Sequence, residues 1–408
     1  MAIARFDTTQ TAQRPVTGAL AAATGATALR GARISLINTL DGLAGLESGW
    51  RKLEAANAGS HAVFQTFDWI RSWATAYATP GGNTELSIVI GYRGDELLFV
   101  WPLMKVTYGP LKILRWASEP LSQYGDVLLA KGEHAKSWLE AALKFIRCLR
   151  NIDSIRLRHV RADAVVASYL SETFRDAKLV EQAPWLDLSA YAGDAAYDAR
   201  YNSNQRKRRK KIRKSLEDRF GPIRFELLEP GSDNDAAMCD AIAEKCKWIE
   251  DRGRQNRVMK SCQLMGFLKD LSRAGASSTR LVTSRMSAGS TVLSWEIGLR
   301  FGTRHFGFIT SHVTSLTDFS PARLHMDYSQ RRAIADGLTV FDLMVPYDIH
   351  KESWSSARVE TRDYHLPLSV LGQVYGRGYL ELARPFLRKG YYRLPPTMLR
   401  RLKPLIGH

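Results

Sequence analysis

From Thr291 to Leu299 the chain alternates, with Leu293, Trp295, Ile297 and Leu299 on one side and Val292, Ser294, Glu296 and Gly298 on the other. Period two predicts a strand. After the turn Phe301-Gly302-Thr303, the short aromatic run His305 to Thr310 predicts its hairpin partner. A polar loop, 311–320, leads to Ser320-Pro321, an N-cap followed by proline at the first helical position, and the helix is expected to run to Gly337. Leu338 to Val345 then predicts a further strand, closed by Pro346.

The same order occurs earlier in the chain. Strand patterns at 86–92, 96–106 and 111–117 correspond to those at 279–285, 290–300 and 304–310. Each set follows two helical patterns, 43–56 and 69–78 in the first half and 236–251 and 263–273 in the second. Each precedes a helix and a strand, 136–150 with 154–159 and 322–335 with 338–345. The chain therefore reads as two copies of one α/β (α+β) plan, with mixed, mostly antiparallel sheets flanked by helices. A change of unit is expected between Trp185 and Tyr197, after a strand beginning at Ala177.

A strand that feeds a helix returning to a neighbouring strand can hold a phosphorylated ligand at the helix start, where amide N–H groups and the positive dipole end are free. The segment Thr317 to Arg323 has no glycine to cradle a phosphate, so an ordinary β-α-β element is an equally good account of spacing alone.

At 408 residues the chain is expected to form two domains. With 45% hydrophobic and 24% charged residues it has the composition of a globular protein, and no apolar run reaches the ~20 residues of a membrane span. Residues 1–30 are rich in Ala and Thr and are expected to be a disordered tail. Cys148, Cys239, Cys246 and Cys262 show no metal-ligand spacing, which predicts reduced thiols and no structural zinc. Cys239 and Cys246, one heptad apart, are expected to be small packed residues.

The net charge of +17 is concentrated in Arg206 to Lys214, eight basic residues in nine. Nucleic acid, an acidic membrane or polysaccharide surface, and a solvated or substrate-facing helix all suit such a run. The helix is preferred, because no nucleic-acid-binding motif accompanies it. The tail 391–408 mixes basic and apolar residues in a composition that suits the inner face of a membrane, though Pro395, Pro396 and Pro404 favour a simple surface appendage.

Ser320-Pro321, Gly337-Leu338, Phe341-Asp342-Leu343 and Tyr347-Asp348-Ile349-His350-Lys351 with Trp354 resemble the C-terminal half of BioF2-like or cellulose-biosynthesis-type (CelD-like) acetyltransferases, members of the GNAT acyl-CoA N-acyltransferase superfamily related to FemAB-like transferases. Phe64 to Trp69 with Trp73, and Pro120 to Asp126, resemble the N-terminal half of that family. The resemblance implies tandem GNAT-like domains over 31–188 and 189–390. It also implies acetyl-CoA or another acyl-CoA as co-substrate, and a basic helix opening the second domain.

N-acyl transfer needs a neutral amine, a polarised thioester carbonyl and a proton for the departing thiolate. Glu296, between the small residues Ser294 and Gly298, is the candidate base, with a salt-bridged carboxylate as the equal alternative. A buried Asp342 must be partnered or used. The resemblance adds Asp342 and Lys351 as site residues. Phe319, Ser320, Ala322 and Arg323 are expected at the donor pyrophosphate. Tyr347, His350 and Trp354 are expected at the acceptor, as by resemblance are Asp68, Trp69, Tyr124 and Asp126; their alternative is an aromatic core with helix caps. His305 and His312 lack the spacing of a zinc pair, so no metal is expected.

The resulting expectation is a cytoplasmic acyltransferase, or one lying at the inner membrane face, that acts on an amine or hydroxyl of a polysaccharide or cell-envelope precursor. A FemAB-like transferase using aminoacyl-tRNA and a catalytically degenerate basic scaffold at a membrane or exopolysaccharide synthase are the alternatives.

Overall fold

The computed structural model describes residues 31–387 apart from 58–60, 150, 255 and 275–278, together with 17–18 and 29. The expected tail 391–408 and nearly all of the expected tail 1–30 lie outside the described residues.

The first half contains β1 (Thr17–Gly18), β2 (Ala32–Ile37), α1 (Leu40–Ala44), α2 (Glu47–Ala56), α3 (Phe67–Tyr77), β3 (Thr84–Leu86), β4 (Ile88–Arg93), β5 (Glu96–Trp101), β6 (Leu103–Tyr108), β7 (Leu111–Trp116), β8 (Leu128–Leu129), α4 (Ala135–Cys148), β9 (Ser154–Arg161), α5 (Ala167–Thr173) and β10 (Arg175–Asp187). The second contains α6 (Asp194–Ala199), α7 (Ser203–Phe220), β11 (Ile223–Leu228), α8 (Ser232–Asp251), α9 (Cys262–Ser272), β12 (Thr279–Ala288), β13 (Thr291–Phe301), β14 (Arg304–His312), α10 (Pro321–Ala335), β15 (Val340–Asp342), α11 (Ile349–Glu352), β16 (Ala357–Pro367) and α12 (Val370–Gln373), followed by a π-helical stretch, Val374–Ala383.

Eleven strands form one sheet in the order β11-β12-β13-β14-β15-β10-β16-β9-β7-β6-β3, and β1-β2-β4-β5-β8 form a second. Within the large sheet β14–β15 and β7–β9 are parallel, and each pair is joined through a helix, α10 in one half and α4 in the other. This is the duplicated plan expected from the sequence. The halves are interlocked, however. β10 pairs with β15 and β16, both from the second half, and β16 lies between β10 and β9. An aromatic core crosses the same boundary: Trp69 packs edge-on to Phe267 and Phe308, and Phe64 lies 6.3 Å from Phe306.

Several sequence expectations change. The run 96–106 breaks at Pro102, which has no N–H for the ladder. The strand expected over 338–345 is only three residues long. Both faces of β13 are buried, whereas alternation predicted one core face. The polar face lies under α10, where buried His325 sits 2.8 Å from the hydroxyls of both Ser284 and Ser294. Cys239 is exposed, not packed, while Cys246 is half-buried against the core.

Candidate active site

The parallel pairing of β14 and β15 ends at Phe306 and Asp342, yet β14 continues to His312. The Leu343 N–H turns away to the carbonyl of Pro184. The two strands therefore part at their carboxyl ends, the usual ligand position in an α/β sheet. Two lysines cap the exposed carbonyls there. Lys245 Nζ donates to Thr310 O at 3.0 Å. Lys351 Nζ donates to Leu343 O at 2.8 Å, and to Met344 O and Pro346 O at 2.9 Å. Burial depresses both ammonium groups, and Lys351 is brought down to about 8.

Beside this opening lies a cavity of about 380 Å³, lined by α7 residues Arg208, Arg209 and Ile212, α10 residues Arg323 and Leu324, and His350 and Trp354 from the loop after β15. The basic run forms α7 because Asn202 and Gln205 cap its start reciprocally, Ile212, Leu216 and Phe220 face a small apolar cluster, and Arg213 pairs with Glu217. Arg209 is held in place by Asp327 at 2.8 Å, with its guanidinium 3.3 Å from the Tyr201 ring centroid and 4.6 Å from that of Trp354. No carboxylate lines the cavity. Desolvation and the neighbouring guanidinium groups of Arg208 and Arg209 lower the pKa of Arg323. Three cations over an aromatic floor fit the phosphates and base of a nucleotide-bearing donor. A shallower depression of about 440 Å³ lies along α7, lined by Lys211, Lys214, Ser215, Asp218, Arg219 and Phe319.

Of the residues expected at the donor, Arg323 lines the cavity and Phe319 the depression beside it. Ser320 stands at the N-cap of α10 before Pro321, as expected, but its side chain does not bond the helix start. Its φ of 55° is left-handed. Pro321 has no N–H, and that of Arg323 is taken by Ser320 O, so a free amide cradle is largely lost and arginines replace it. His350 and Trp354, expected at the acceptor, line the same cavity as Arg323. Tyr347 lies outside it, beneath Arg358 at 4.3 Å.

Other expected site residues are engaged elsewhere. Asp342 is fully buried and accepts from Tyr124 Oη at 2.7 Å, Arg161 Nη1 at 3.0 Å and Met344 N at 2.8 Å. Its carboxylate is thus partnered, and it ties the halves together. Glu296 is also buried, 2.6 Å from His305 Nε2. Burial would raise its pKa, and the nearby imidazole brings it below the ordinary value. Its Oε1 thus makes the pairing that the salt-bridged alternative requires. Asp68 makes a two-pronged pair with Arg51, while Trp69 Nε1 donates to Ser118 and Ser122. Asp126 accepts from the amides of Val127, Val165 and Val166. Asp68, Trp69, Tyr124 and Asp126 are each almost fully buried, and none lines the cavity or the depression above, or the pocket at Val160 to Tyr364. Among the described residues no group of three or more His, Cys, Asp and Glu is placed to hold a metal ion.

Sequence reasoning missed Tyr201, Lys245 and Arg161. Tyr191, Tyr197 and Tyr201, recurring just before the basic helix, were the available signal for the aromatic floor. Nothing local marked the other two.

Residues 203–352, which contain α7, the splayed strands and the arginines of the cavity but not Tyr201 or Trp354, match the family model of an acetyltransferase (GNAT) domain. That match points to an acyltransferase with an acyl-CoA co-substrate. The whole fold is similar to the crystal structure of FemX, with a TM-score of 0.57 at 11% identity, covering 83% of this chain and 98% of that one. It is also similar to a conserved protein of unknown function from Bacteroides thetaiotaomicron, with a TM-score of 0.50 at 13% identity, covering 80% and 97%. A tandem GNAT protein from the clavulanic acid biosynthesis pathway covers 82% of this chain and 99% of its own, with a TM-score of 0.47 at 9% identity. No curated protein sequence matches the chain. The architecture is thus a mixed α/β fold of the kind found in FemX.

Proposed function

We propose that this chain transfers an acyl group from an acyl-CoA to an amine, or to a hydroxyl, of a polysaccharide or cell-envelope precursor in the cytoplasm. The observation that carries the donor half of this reading is the carboxylate-free cavity lined by Arg208, Arg209 and Arg323 beside the opening between β14 and β15. Arg208, Arg209 and Arg323 would hold the donor phosphates, and Trp354 with Tyr201 would bear on its base. The donor supplies an activated thioester. Lys351 holds the loop after β15 through three carbonyls and carries a proton at an ammonium brought down to about 8. A proton with that affinity suits delivery to a departing thiolate near neutral pH.

A thermal-shift titration with acetyl-CoA, coenzyme A and pantetheine tests this reading. Stabilisation by the first two, lost on Arg209→Ala or Arg323→Ala, is expected by mass action. No shift with any acyl-CoA overturns it. The long exposed basic face of α7 favours a second reading, in which the donor is an aminoacyl ester of tRNA. Retention of RNA, and not coenzyme A, by the purified protein distinguishes that case.

A further inference from the structure

The segment Val370–Leu387 is amphipathic in the wrong sense for a helix lying on a protein. Its polar side chains face inward. Glu381 meets His365 at 3.0 Å, Arg384 meets Asp363 at 3.2 Å, and Tyr375 accepts from Arg156 at 3.3 Å. Its large apolar side chains face solvent: Val370 is 81% exposed, Val374 64%, Leu382 62%, Phe386 76% and Leu387 64%. Between 370 and 387 the exposed polar positions are Gln373 and Arg377.

The helix cannot roll to bury this stripe. Gly372 and Gly376 form its contact face with the sheet, where an added Cβ would lie 1.8 Å from Asp153 O and 2.7 Å from His365 Nδ1. Leu380, fully buried, completes that face at the same spacing of four. The outward positions 370 and 374, then 382 and 386, lie at multiples of the same four-residue step, with Gly378 between the two pairs, so they share one outward side through the wide π-helical turns.

We propose that this ridge docks the protein on an anionic lipid surface. The sequence that follows identifies the occupant. Residues 388–408 hold Arg388, Lys389, Arg393, Arg400, Arg401 and Lys403 and no Asp or Glu. An apolar ridge followed in sequence by cations suits a bilayer whose interior takes the ridge and whose headgroups take the charge. A second copy would bring two such cationic segments together, and electrostatics opposes it. The inference does not depend on the catalytic reading, since vesicle binding is measured without turnover.

The test is co-sedimentation of the full chain with vesicles of phosphatidylcholine alone or mixed with phosphatidylglycerol. Binding to the mixed vesicles at least about tenfold tighter, weakened by salt, is expected. The triple variant Val374→Gln, Leu382→Gln, Phe386→Gln is expected to lose about tenfold or more of that affinity. Phe386→Gln alone serves if the triple variant does not fold. Equal binding to both vesicle types, unchanged binding by the folded variants, or a dimer by light scattering that the variants dissolve overturns the proposal. So does tighter binding after removal of residues 388–408, which would mean that this segment covers the ridge.

Discussion

The Tyr124 hydroxyl, from the first half of the chain, donates to Asp342 Oδ1, from the second, at 2.7 Å, and both side chains are almost completely buried. Arg161 completes the link, binding Asp342 Oδ2 while its guanidinium lies 4.8 Å from the Tyr124 ring centroid. Asp342 also receives the Met344 amide, so the cluster fixes the point where β15 leaves the sheet. Asp342→Asn is expected to destabilise by about 3 kcal/mol, because it leaves Arg161 with only the half-exposed Asp163. Tyr124→Phe is expected to cost about 2 kcal/mol, the value of a buried bond to a carboxylate. Urea unfolding of both single variants and the double variant checks this, with non-additive losses expected.

Arg209→Ala and Arg323→Gln each remove one cation from the cavity. Donor affinity is expected to fall about tenfold or more for each, the scale of a charge-assisted hydrogen bond. The remaining affinity should depend less on salt. Trp354→Ala should weaken donor binding as well, since Arg209 loses one of its two aromatic contacts. Isothermal titration of acetyl-CoA across a salt series reads all three, and unchanged affinity would place the donor elsewhere.

Lys351 has two separable signatures. Its ammonium is depressed first by burial and by Lys245, against the attraction of Asp342, Asp348 and Glu181. Below pH about 8 it is charged in both folded and unfolded chains, and the burial cost is present in full. Between about 8 and the usual lysine value the folded form deprotonates first, so its contribution to stability improves as pH rises. Lys351→Met should remove that slope. If Lys351 also delivers the proton in turnover, kcat should fall above pH about 8 in the parent protein and lose this limb in the variant.

His325 gives a slope of the same sign at acid pH. Burial brings its pKa to about 4 despite Glu296 nearby, so at neutral pH it is uncharged between Ser284 and Ser294. The unfolded chain binds its proton at about 6.5, hence stability should decline as pH falls from there towards 4. Comparing the parent with His325→Gln in urea titrations across this range isolates the term.

Glu296→Gln separates a structural carboxylate from a base. Because the Glu296 carboxylate is buried against His305, the variant should lose about 2–3 kcal/mol of stability while the folded fraction keeps kcat to within about tenfold. A loss of about a hundredfold or more with the fold intact would restore the role of base.

Sequence reasoning recovered features whose cause lies within a few residues. The hairpin of β13 and β14, the proline-started α10 and the glycine turn after it follow from alternation, a fixed φ and the left-handed Gly337. The basic run was recognised as a helix, and its Asn202–Gln205 cap is local too. β16 was not recognised, because a strand inserted between β10 and β9 is defined by partners more than a hundred residues away. Trp69 and Tyr124 look alike as candidates on a cleft or in a core, since residue type does not carry burial.

The sequence by itself determined the duplicated α/β order, the basic helix α7 and the proline-led crossover into β15, because hydrophobic period, capping and backbone restriction act locally. Only the tertiary structure decided that Asp342 would be taken up by partners and Glu296 set against His305, that Arg208, Arg209 and Arg323 would converge on one cavity, and that the last helix would turn its apolar side to solvent. These depend on distances between residues far apart in the chain, and electrostatics and burial are fixed by those distances and not by neighbours in sequence.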